Sequence, residues 1–77
     1  MSLQPNPEAP RKHRTTIFRA ARRLIQQAEG CSAGIYWGRR ELDTWHPDDF
    51  DALAVRVSAA GVQCLEIRGE LCFHVEP

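Results

Sequence analysis

The chain has 77 residues, 43% hydrophobic and 26% charged, and its ten basic and ten acidic side chains cancel to zero formal charge. That length admits a single domain and that composition excludes global disorder, while a domain so small buries only about 60% of the surface of its unfolded chain and gains from a partner subunit such as a second copy in a homodimer. No apolar run approaches the roughly 18 residues of a membrane span, no signal core is present, and Cys31, Cys64 and Cys72 lack a framework spacing. The expectation is a cytoplasmic chain with reduced thiols and no membrane partner.

Residues 1–13 hold Pro5, Pro7 and Pro10 and no apolar periodicity. They read as a disordered arm ahead of a domain over 14–77. From Thr15 to Glu29, Ile17, Phe18, Ala21, Leu24, Ile25 and Ala28 recur at helical spacing and lay one side of a first helix on a core. Thr15 or Thr16 suits the N-cap and Gly30 the position past the end. The opposite side carries Arg19, Arg22, Arg23 and Gln26 at i, i+3, i+4 and i+7.

Ala33 to Trp37 is β-branched and aromatic, as a short strand is. After a turn at Gly38-Arg39, the alternation in Glu41-Leu42-Asp43-Thr44-Trp45 predicts a second short strand, with one helical turn over 39–43 as the rival. The next helix starts at Pro47, whose ring suits the first helical position, and Asp48 and Asp49 complement its positive end. Phe50, Leu53, Ala54 and Val57 form its apolar stripe, and Ala60-Gly61 ends it.

Val62 to Val75 is a hairpin turning around Arg68-Gly69-Glu70. A two-residue loop pairs Ile67 with Glu70 and Leu65 with Cys72; a three-residue loop pairs Ile67 with Leu71 and Leu65 with Phe73. Apolar clustering favours the three-residue loop, which puts Leu65, Ile67, Leu71, Phe73 and Val75 on one face and Cys64, Glu66, Cys72 and His74 on the other. The predicted fold is α+β: two helices packed on a small antiparallel sheet of three or four short strands, with a C-terminal β-hairpin. Leu24, Ile25, Phe50, Leu53, Val57, Leu65 and Phe73 form its expected core.

The favoured register would set Cys64 opposite His74 with Cys72 diagonal, three of the four ligands zinc requires. No pair has CxxC spacing, so the cysteines read as small buried apolar residues, and neither metal nor cofactor is expected. A Cys and a His without a nucleophile elbow, a glycine-rich loop or a buried carboxylate predict no catalytic residue and a non-enzymatic chain. Trp37, Trp45 and Tyr36 lie near Arg39 and Arg40, a combination that stacks bases or carries an interface; a core anchor is the plainer account.

The strongest clue is charge placement. Residues 11–23 hold six cations and no acid, and nine of the ten basic residues are arginine. Arginine's planar fork suits phosphate and carboxylate, although coding base composition accounts for the bias equally well. The cations crowd the first half of a helix, where the dipole opposes them. Two functions follow. One is a small nucleic-acid-binding (DNA-binding) or regulatory protein that contacts phosphates through Arg11, Lys12, Arg14, Arg19, Arg22 and Arg23, with Arg39 and Arg40 nearby. The alternative is a protein-interaction module, an inhibitor or adaptor, that meets an acidic protein surface. The stripe favours the first, and zero net charge favours the second.

The order helix, short strands, helix, hairpin resembles that of winged-helix domains. There is little space for a middle helix between Trp37 and His46, and the helix before the hairpin is acidic where a recognition helix is basic, which counts against major-groove reading.

Overall fold

The computed structural model describes residues 3–75. Its elements run α1 (Arg14–Glu29), β1 (Ile35–Trp37), α2 (Arg39–Leu42), α3 (Pro47–Ala59), β2 (Val62–Ile67) and β3 (Glu70–Val75). The strands form one antiparallel sheet in the order β1-β3-β2. Both long helices pack on the sheet face that presents Val62, Leu71 and Phe73, and the α+β class holds.

α1 buries Ile17, Ala21, Leu24 and Ala28, the predicted side. Its cap is His13 rather than Thr15 or Thr16: extended at φ −67°, it accepts the Thr15 N–H at 3.2 Å through Nδ1. The threonines are already inside the first turn. Gly30 closes the helix at φ −90° and so makes no use of a left-handed conformation. α3 begins in the same way, with His46 Nδ1 accepting the Asp48 N–H at 3.1 Å and Pro47 following at the first helical position.

The expected strand at Glu41–Trp45 is instead the helical turn α2, and the sheet has three strands. Glu41 Oε2 accepts the Gly38 N–H at 2.8 Å, which fixes the turn's start. Leu42 and Trp45, three apart, then point inward together and are both buried. The only two large apolar side chains of the segment sit at i and i+3, a spacing that shares a face in a helical turn and splits across the two faces of a strand. A four-residue helix, α2, does fit between Trp37 and His46, where the sequence leaves little space for one.

The hairpin adopts the two-residue loop, against the register favoured by apolar clustering. Ile67 pairs with Glu70, Leu65 with Cys72, Cys64 with Phe73 and Val62 with Val75. Arg68 at φ 53° and Gly69 at φ 80° are both left-handed, the geometry of a tight turn whose twist matches that of the strands. The one-residue slip turns β2 over. Cys64 and Val62 now face the core, while Leu65, expected inside, is 45% exposed on the outer face.

The remaining core expectation holds. Leu24, Leu53, Val57 and Phe73 are buried, with Ile25 and Phe50 packed against them. Both tryptophans belong to this core: Trp37 lies 5.0 Å from the Phe73 ring centroid and 5.9 Å from that of Trp45.

Residues 3–13 contain no helix or strand, in keeping with their composition, yet they lie along the domain instead of hanging free. Asn6 N–H donates to the Trp45 carbonyl at 3.0 Å, and Ala9 is only 6% exposed. Prolines remove helix and sheet but leave a chain able to bond through its remaining amides. For residues 1 and 2 the arm expectation lies outside the described residues.

Candidate functional site on the first helix

The eight cations singled out in the sequence fall into two groups. Arg11, Lys12 and Arg39 have intramolecular partners. Asp49, in the first turn of α3, is 3% exposed, and its carboxylate receives Arg11 Nε and Nη2 on Oδ1 at 3.2 and 3.0 Å and the Lys12 N–H on Oδ2 at 2.7 Å. Those bonds, Arg11's first, hold the Asp49 carboxyl below the usual carboxylate range against the opposing effect of burial. The same pair holds the Arg11 guanidinium above its ordinary value. The Lys12 ammonium lies 4.7 Å from the Trp45 ring centroid. Arg39 pairs with Asp43 at 3.2 Å and donates to the Gln4 carbonyl at 2.6 Å.

The second group is Arg14, Arg19, Arg22, Arg23 and Arg40. All five are exposed, and none forms an ion pair or a side-chain hydrogen bond among the described residues. Arg19 and Arg23 flank a shallow hollow with Thr16 and Ala20. Arg40 sits apart on α2, which packs on β1.

Arg14 and Arg22 border a different feature, the groove between α1 and α3. Phe18 stands in its middle with the Arg14 guanidinium 5.0 Å from its ring centroid and that of Arg56, from α3, at 3.4 Å. One hollow of about 600 Å³ lies between Arg14, Phe18 and Val55. Another of about 410 Å³ lies between Phe18, Arg22 and Ile25. Arg56 was not among the sequence candidates. It stands alone as a cation on α3, and only the packing of two helices brings it to the α1 stripe.

The other chemistry weighed in the sequence does not assemble. The hairpin register sends Cys64 and Cys72 to opposite faces, so they do not converge with His74. Burial pushes the Cys64 thiol above its ordinary value, and Cys72 adds to the shift. Trp45 is buried in the core and Trp37 is half-buried against it, the plainer role the sequence offered for them.

The helix before the hairpin, α3, exposes Asp48, Asp51, Ala52, Val55, Arg56, Ser58 and Ala59. Two acids and one cation among apolar and small residues are a poor match for a phosphate-lined groove. Comparison with known proteins adds no relative: no protein-family model, no curated protein and no solved structure matches the chain.

Proposed function

We propose that this chain is a non-enzymatic protein-interaction module whose α1 arginine face engages an acidic partner. One observation carries the reading. Arg14, Arg19, Arg22 and Arg23 are exposed and form no ion pair or side-chain hydrogen bond among the described residues, while Arg11 and Arg39 nearby are paired with Asp49 and Asp43. Four exposed guanidiniums on one helix supply forked donors for carboxylates and steer a negatively charged surface.

Phosphate contact is the second reading, favoured by three exposed arginines, Arg19, Arg22 and Arg23, within five residues of one helix. The apolar groove beside the arginines and the acidic start of α3 weigh towards protein. A salt series of binding titrations against poly-glutamate and against a random DNA duplex, with wild type and the R19Q/R22Q/R23Q variant, separates the outcomes. The account expects poly-glutamate binding that the folded triple variant loses. Tighter DNA binding at equal salt, with a salt slope that falls by about one unit per arginine removed, would give the site to phosphates. Unchanged binding by the triple variant would leave the stripe a solvated face.

A further inference from the structure

Resting on the interaction-module reading, we infer that the groove between α1 and α3 receives an amphipathic helix of the partner, apolar on the side that enters the groove and acidic where it meets Arg14, Arg22 and Arg56.

The groove follows α1 from Arg14 to Glu29, 16 residues or about 24 Å of helix. Its floor is apolar: Ile17, Phe18, Ala21 and Ile25 from α1 meet Ala52, Val55 and Ala59 from α3. Val55 is 69% exposed, the most open of the large hydrophobic side chains in the described chain. An apolar floor of this kind gains from being covered, at roughly 25 cal/mol per Å² removed from water.

The rim identifies the occupant's charge. The Arg14 and Arg56 guanidiniums both lie over the Phe18 ring, and Arg22 lies one turn beyond Phe18 along α1. Asp51 stands at the Arg14 end and Glu29 at the far end. Arg22 and Arg56 therefore hold the middle of the groove, Arg14 shares one end with Asp51 and Glu29 marks the other, which fits a helix with carboxylates at its centre and towards the Arg14 end and tolerance for a cation at the Glu29 end. Arginine stacked on an aromatic keeps its in-plane N–H donors free, so the Phe18 contacts orient Arg14 and Arg56 without using their hydrogen bonds.

The walls identify the occupant's secondary structure. Both are helices whose backbone groups are bonded internally, so the groove offers no N–H or C=O for an extended segment to pair with. A strand laid there would leave its own amides unmatched against apolar side chains. A helix satisfies its backbone within itself and presents only side chains, in the i, i+3, i+4, i+7 pattern of helix-in-groove recognition.

The test uses the full chain and three probes: a designed 18-residue helical peptide with leucines at i, i+3, i+4 and i+7 and glutamates elsewhere, a scramble of the same composition, and a random DNA duplex. Affinities are measured by fluorescence anisotropy for wild type, Val55→Glu and the R19Q/R22Q/R23Q variant, with circular dichroism as the fold control. The inference predicts that the designed peptide binds at least tenfold tighter than its scramble and that Val55→Glu removes that advantage. Equal binding of peptide and scramble, both lost in the triple variant, would overturn the groove while leaving the acidic-partner reading in place. Binding of DNA with neither peptide bound would overturn both.

Discussion

Leu53 and Val55 are two residues apart on α3, and the structure gives them opposite fates. Leu53 is 0% exposed, enclosed in the core that α1, α3 and the sheet share. Its truncation to alanine removes buried methyl groups where surrounding elements cannot collapse fully, a cost of about 2–5 kcal/mol. A domain of this length holds about 4–12 kcal/mol in total, so Leu53→Ala removes a large share of it and lowers Tm by on the order of 10–30 °C. Val55→Ala exchanges a side chain open to solvent for a better helix former and leaves stability within about 0.5 kcal/mol. Urea denaturation followed by tryptophan fluorescence reads both, since Trp37 and Trp45 lie in the same core. The reasoning fails if Leu53→Ala costs under half a kcal/mol or if Val55→Ala costs as much, because either result would place the helix in another rotational phase.

Three further outcomes follow from the fold. Arg68→Asn, which suits a left-handed turn position better, raises stability by up to about 1 kcal/mol in chemical denaturation; a loss would contradict the two-residue loop and with it the register. Gly34→Ala places a Cβ 2.7 Å from Cys72 Sγ and 3.1 Å from the Phe73 carbonyl at φ +87°, so it destabilises by about 2–4 kcal/mol in the same assay, and a neutral result would mean that this crossing is loose. Asp49, its carboxyl held low in the folded state, contributes stability above the unfolded value near pH 4, and that stability is lost as pH falls through the lowered folded value. Asp49→Asn therefore lowers Tm at pH 7, and the gap from wild type narrows in acid; a constant gap would show that Arg11 contributes nothing through charge.

What was legible in the sequence was whatever had enough repeats to average over. Six apolar positions fix the buried side of α1, and Pro47 with Asp48 and Asp49 fixes the start of α3. Short elements are less legible: a single apolar pair, Leu42 and Trp45 at i and i+3, is all that marks the helical turn against a strand. In the hairpin, counting apolar residues put Leu65 inside, but the left-handed pair Arg68-Gly69 determines the turn and carries Leu65 out. Local backbone geometry outweighs one buried leucine there, since Cys64 and Val62 fill the core face in its place. Within the candidate site, the arginine stripe is written in the spacing of Arg19, Arg22 and Arg23. The engagement of Arg11 by Asp49, 38 residues away, and the approach of Arg56 to Phe18 are products of tertiary packing, and no local pattern announces them.

The most direct measurement is an amide spectrum of the ¹⁵N-labelled chain titrated with the acidic amphipathic peptide. The account predicts shift changes concentrated on Phe18, Arg22 and Ile25 of α1 and on Ala52, Val55, Arg56 and Ala59 of α3, with Arg11, Asp49 and the outer sheet face unchanged. Changes centred instead on Tyr36, Leu65 and Ile67, or on Arg39 and Arg40, would contradict it.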